Sequence, residues 1–134
     1  RILAIDYGEK NVGLACCDEL GLTVHPLPSM PNRGISDLLK KLQALVDLLD
    51  IHRLVMGIPF RLDGTQGDAA RRMEQLRGKI ANDLGIPVLG IDESLSSMEA
   101  SELWREMSKK QQRKYRTADS LAAALILERH LKES

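Results

Sequence analysis

An α/β fold is what this sequence predicts: a mixed five-stranded sheet with helices on both faces. Three observations predict it. Apolar runs of strand length recur at 1–6, 11–17, 54–58 and 86–92, bounded by Gly, Pro and charged residues. Two longer stretches between the later runs repeat apolar residues at i, i+3, i+4 and i+7. The early runs are separated only by turn-like residues, whereas the later ones are separated by helices. The order reads βββαβαβαα, an antiparallel start followed by α/β crossovers.

Each element has its own warrant. Residues 1–6 and 11–17 read as buried strands joined by the turn Tyr7-Gly8-Glu9-Lys10, and a short third strand is expected around 22–25. Pro26, Pro28 and Pro31 then predict an irregular connection, because proline lacks a backbone donor. A helix over 34–50 places Ile35, Leu38, Leu39, Leu42, Leu45, Val46 and Leu49 on one face. The strand 54–58 stops at Pro59, and residues 60–66 form a polar loop. A helix over 67–84, apolar through Ala70, Met73, Leu76, Ile80 and Leu84, ends at Gly85 and Pro87. After the strand 86–92, Ser96 and Glu99 suggest a capping box opening a helix buried through Ala100, Leu103, Trp104 and Met107. A basic loop leads to a last helix over 117–131.

Length and composition bound the class. The 134 residues fit one domain, 1–134, with a core large enough to need no staples. No apolar run approaches the ~20 residues of a membrane span, so no membrane partner is expected. No leader peptide is expected either, since Arg1 leads directly into a strand. Cys16 and Cys17 are adjacent in a strand and point to opposite faces, which argues against a disulfide framework and for a reducing, cytoplasmic setting. Nineteen basic and nineteen acidic residues cancel, so overall charge gives no sign of nucleic acid. Locally the balance differs: Lys109, Lys110, Arg113, Lys114 and Arg116 put five positive charges into eight residues, with Tyr115 among them.

Three carboxylates carry the chemistry. Asp6 closes the first strand, Glu93 follows the last strand, and Asp119 opens the last helix. If the two strands are neighbours and the helix crosses them, the acids meet at one sheet edge. Gathered carboxylates repel, so such a cluster points to a divalent cation. Each acid also has a plain structural role available: Asp119 at the positive end of a helix dipole, Asp6 as a turn former. Glu93 has no such role, since an acid after a strand caps nothing. Asp92 stands at the same strand end, but the pleat turns it to the other face. His25, His52 and His130 show no ligand spacing.

With the acids on this pattern, the whole chain resembles the YqgF/RuvX family, bacterial proteins of ribonuclease H-like fold. Four motifs in order carry the resemblance: Asp6-Tyr7-Gly8-Glu9-Lys10-Asn11-Val12-Gly13, Gly57-Ile58-Pro59-Phe60-Arg61-Leu62-Asp63-Gly64, Asp92-Glu93-Ser94-Leu95-Ser96-Ser97, and Asp119-Ser120-Leu121-Ala122-Ala123. Asn11 and Ser94 stand where the family usually has arginine, which removes two bidentate partners for a phosphate. The resemblance implies a nuclease in which Asp6, Glu93 and Asp119 are catalytic and hold two Mg²⁺ or Mn²⁺ ions. Hard cations of this kind prefer carboxylate oxygen.

It also implies a substrate. Structured RNA is expected first, in 5′-end maturation of pre-16S rRNA, with ribosomal precursor particles as possible partners. Branched DNA, a Holliday junction, is the alternative; symmetrical cutting there calls for a homodimer rather than a monomer. The changes at Asn11 and Ser94 motivate a third reading, a nucleic-acid-binding module weakened in catalysis. A fourth, the nucleotide-binding fold of actin and sugar kinases, needs a far longer chain. Lys10, the basic segment Lys109, Lys110, Arg113, Lys114, Tyr115 and Arg116, and secondarily Arg61 are the candidate nucleic-acid contacts. The basic segment otherwise reads as a solvated loop.

Overall fold

The structure, a computed structural model, describes residues 1–59, 67–92 and 96–133, with the side chains of 96–98 outside that description. Its elements run β1 (Ile2–Tyr7), β2 (Asn11–Cys17), β3 (Val24–Pro31), α1 (Ile35–Leu49), β4 (Arg53–Ile58), α2 (Asp68–Leu84), β5 (Val88–Asp92), α3 (Ser96–Glu106), α4 (Lys109–Tyr115) and α5 (Ala118–Glu133). The strands form one mixed sheet in the order β3-β2-β1-β4-β5. β1 pairs antiparallel with β2, and β2 with β3, while β4 lies parallel to both β1 and β5.

Strand alternation sorts the core into two layers. Leu3, Ile5, Val12, Leu14, Cys16, Leu54 and Met56 face α1 and α2, where Leu38, Leu42, Leu76 and Ile80 meet them. Ala4, Ala15, Cys17 and Val55 face α5 through Ala123, Ala124, Ile126 and Leu127. Small residues on both sides of this second layer bring α5 close to the sheet. α3 packs on α5 through Ala100, Leu121 and Ala122. The two cysteines thus lie in different layers, both buried and free. Among the described residues no helix is long and apolar enough to cross a membrane.

Four expectations need correction. The third strand is longer than 22–25 and takes in all three prolines: Pro26 and Pro31 pair with β2, and Pro28 falls at a register shift in the ladder. β3 is an edge strand, and an edge leaves one row of N–H groups without a ladder partner, so proline is tolerated there. The basic segment is a helix, not a loop: Ser108 accepts from the Gln111 N–H and the Gln111 side chain accepts from the Ser108 N–H. The order is therefore βββαβαβααα. Leu103, expected in the core, is 40% exposed, and Ile35 is 38% exposed at the start of α1. Finally, β1 and β5 are not neighbours, because β4 lies between them. The capping residues proposed at Ser96 lie outside the described side chains.

Candidate active site

The site forms where β1 ends, and a glycine decides its geometry. Asp6 pairs with Gly13 across the β1–β2 ladder. The pleat turns Asp6 toward α5, on the same face as Ala4. A Cβ placed on Gly13 would collide with the Asp119 carbonyl and lie 3.0 Å from the Asp119 Cβ. Because position 13 has no side chain, the first turn of α5 rests directly on the sheet beside Asp6. Two of the three acids are thereby brought together.

Hydrogen bonds hold that first turn in place. The Ser120 N–H donates to Thr117 Oγ1 at 3.0 Å, an N-terminal cap for α5. The Ser120 hydroxyl, fully buried, donates to the Leu27 carbonyl of β3. On the other side of Asp6, the turn after β1 is closed by Gly8 N–H donating to the Asn11 carbonyl at 3.0 Å. Asn32 clamps this turn twice: its Nδ2 donates to the Gly8 carbonyl at 2.8 Å, and its N–H to the Lys10 carbonyl at 2.8 Å. Sequence reasoning missed Asn32, Thr117 and Ser120. A Thr before a helix and an Asn two residues before a Gly are recognisable cap and turn signals, but their distant partners are not.

Glu93 lies outside the described residues, as do Arg61 and Ser94. Its approach is still defined. β5 pairs Ile91 with Gly57 and Asp92 with Ile58. Ile91 packs in the α5 layer, so Asp92 points the other way. Arg129 of α5 donates from Nη1 to the Asp92 carbonyl at 2.6 Å, pinning the strand end that delivers residue 93. With β4 intervening, the ends of β1 and β5 stand about 10 Å apart at ~4.8 Å per strand. At that level β4 carries Gly57, which itself contributes no side chain to the α5 face. Among the described residues no group of three or more His, Cys, Asp or Glu could hold a metal ion. Asp6 and Asp119 are the described acids of the candidate set.

Electrostatics fit a cation at this place. Burial pushes the Asp119 carboxyl above the usual carboxylate range. A carboxylate held partly dry is stabilised by a hard divalent ion, and oxygen is the donor such ions prefer.

The basic residues gain order from being helical. At 100° per residue, Lys109, Lys110, Arg113 and Lys114 fall within about 140° of arc on α4. All four are exposed, while Gln112 and Tyr115 face inward. Gln112 Nε2 donates to the Trp104 carbonyl at 2.7 Å, and Tyr115 packs with the α5 layers. The Tyr115 ring is thus engaged in packing, with Lys114 Nζ 5.6 Å from its centroid. Lys10 is exposed on the turn after β1.

Arg116 joins this stripe to α5 in an unusual conformation. Its φ of 71° and ψ of −62°, with Thr117 N–H donating to the Tyr115 carbonyl at 2.9 Å, make a γ-turn of the rare positive-φ kind. A non-glycine residue held there costs about 1 kcal/mol or more, and such strain concentrates at functional sites. Arg116→Gly should therefore raise stability by about 1 kcal/mol while weakening nucleic-acid binding. Thermal melting and a binding titration on the same protein check both. A lowered melting temperature would mean that the arginine side chain contributes more packing than the turn costs.

Sheet order, crossover pattern and the acid pair define an α/β protein of the ribonuclease H-like class. Solved structures of similar shape include T. thermophilus RuvC in complex with a Holliday junction substrate, at TM-score 0.57 and 15% identity over 98% of this chain and 93% of that one. The Fowlpox virus resolvase in complex with Holliday junction DNA aligns at TM-score 0.56 and 11% identity, over 98% and 97% of the two chains. Residues 1–133 match the family described as "RuvX: Holliday junction resolvase", and the chain belongs to that family. A relative from Syntrophus aciditrophicus, named "Putative pre-16S rRNA nuclease", is 37% identical over 98% of this chain and 87% of its own length. One of the same name from Geobacillus kaustophilus is 36% identical over 98% and 96%. The protein is thus a member of a nuclease family.

Proposed function

We propose that this chain is a metal-dependent nuclease that cuts structured RNA, acting in the cytoplasm on the 5′ end of pre-16S rRNA within ribosomal precursor particles. The observation that carries the reading is the seat of Asp119 on Gly13, directly across the ladder from Asp6. It supports a reading in which both acids serve one cation, since hard divalent ions prefer carboxylate oxygen. Asp6, Asp119 and Glu93 would hold Mg²⁺ or Mn²⁺; Asp92, turned to the other face, is left out of the set. When bound, such ions stabilise charge on the attacking and leaving oxygens of a phosphodiester.

The protein's own residues do the rest. The Asn32 clamp holds the β1 turn, and with it Lys10, at the edge a phosphate would approach. Thr117 and Ser120 fix the first turn of α5, so Asp119 needs little reorganisation when a cation arrives. The α4 stripe and Arg116 supply the positive surface that a net-neutral chain otherwise lacks. Asn11 and Ser94 supply no guanidinium, so these residues must carry more of the phosphate contact.

The family description favours a second substrate, the DNA four-way junction, for which two copies of the site are needed. Cleavage of a 5′-extended rRNA precursor and of a mobile junction, each with Mg²⁺, with Mn²⁺ and with chelator, separates the two. Cutting of RNA by a monomer supports the proposal. Cutting of the junction alone by a homodimer replaces it, and binding without cutting would make the chain a non-catalytic module.

Changing Lys109, Lys110, Arg113 and Lys114 together to Ala should reduce affinity and shallow the log–log salt slope by about 3 to 4 units if all four meet phosphates. An unchanged slope would leave α4 as solvated surface.

A further inference from the structure

A second recess opens at the same end of the sheet, on the opposite face from the acids. Tyr7 follows Asp6 in β1, and the pleat sends its side chain toward α1 and α2. There a cavity of about 400 Å³ is walled by Tyr7, Ile35, Pro59, Met73 and Leu76, with Arg72 and Glu9 at its mouth. That volume falls within the range of small-ligand pockets. Nothing in the catalytic reading uses it.

We propose that this cavity receives an unpaired nucleobase of the strand whose phosphate lies at Asp6. The inference rests on the nuclease reading and adds a subsite to it. Asp6 and Tyr7 are consecutive but face opposite sides of the sheet, so a strand that passes over the end of β1 with a phosphate at Asp6 would carry an unstacked neighbouring base to the Tyr7 side. The lining suits a base: an aromatic ring, a thioether and aliphatic walls offer flat apolar contact, and Arg72 is exposed where the sugar-phosphate would remain in water. The wall is also preformed, since Asn32 ties the turn beside Tyr7 to the segment that leads into Ile35. An apolar side chain of a partner protein would fill the same walls but would have no use for Arg72 at the mouth or for the adjacent acids.

Abasic substitution tests this. A labelled strand binding the wild-type chain would be made with single abasic sites at each of the nucleotides flanking the cleaved bond. Affinities would be measured by fluorescence anisotropy in EDTA, where the strand stays whole. One lesion position should weaken wild-type binding about tenfold. Tyr7→Leu should weaken binding of the intact strand to a similar extent and be indifferent to that lesion. Arg72→Ala, an exposed helical change that should leave the melting temperature unmoved, should reduce the salt slope by about 1 and keeps the test open if Tyr7→Leu misfolds. Tight binding of the intact strand with no lesion penalty anywhere overturns the subsite alone. So does an equal penalty in Tyr7→Leu. Failure of the wild-type chain to bind intact RNA or DNA, with Ca²⁺ present as well as in EDTA, overturns the subsite and the nuclease reading together.

Discussion

Gly13→Ala should cost about 3 kcal/mol of stability and nearly all cleavage, through one added methyl group. The new Cβ would meet backbone, the Asp119 carbonyl, and not the yielding end of a long side chain. Either β2 or the start of α5 must move. Both are tied down: β2 pairs on both sides within the sheet, and α5 is capped by Thr117 and bonded to Leu27 through Ser120. Inserting volume into such a contact costs about 1–3 kcal/mol, and a backbone collision belongs at the top of that range. For a chain of this length the melting temperature should fall by about 10 °C. Since the displaced element carries Asp119, activity should fall further than stability alone explains, and Gly13→Ala assayed well below its melting temperature would still be inactive. Unchanged melting and unchanged cleavage would mean that α5 does not sit on Gly13.

Asp6→Asn should abolish cleavage and leave the fold intact. The amide keeps the size of the carboxylate but is a weak ligand for a hard cation. Without divalent ions, the variant should melt no lower than the parent, because the amide is the same size as the carboxylate and carries no charge to desolvate. Asp119→Asn should go further and raise the metal-free melting temperature at neutral pH. Its carboxyl is raised by burial in the folded chain, so the folded state binds the proton more tightly than the unfolded state. Metal-free stability from this group is therefore present at low pH and is lost as pH rises through the raised value. Cation affinity runs the opposite way and grows over the same interval, as the carboxylate forms. Melting curves against pH, with chelator and with Mn²⁺, should thus differ in sign for the parent and lose that difference in Asp119→Asn. A marked fall in the metal-free stability of Asp6→Asn would return Asp6 to the role of turn former.

Much of this was legible in the chain, and the exceptions have physical causes. α1 and α2 follow from apolar spacing because one face of each is buried, whereas α5, β1, β2 and β4 follow from continuous apolar runs because they are covered on both sides. β3 escaped because three prolines read as breakers unless the strand is known to be an edge, and edges are set by the whole sheet. α4 escaped because its seven residues hold no apolar stripe; a reciprocal cap and contacts to α3 and α5 sustain it. Asp6 and Asp119 were legible as candidates, but the residue that joins them, Gly13, has no side chain to signal with. The adjacency of β1 and β5 entered only as a condition for the acids to meet, and sheet order is a long-range property that no local pattern encodes.

The prolines of β3 have a consequence for how copies of this chain meet. A strand edge with its full set of donors invites a second chain to continue the sheet, the common route to swapped dimers and fibrils. Pro26, Pro28 and Pro31 each remove a donor from the strand that closes this side of the sheet. An incoming strand would find an interrupted ladder. That guards a crowded solution against runaway stacking, and it means that any twofold assembly built for symmetrical cutting must join elsewhere than through this rim.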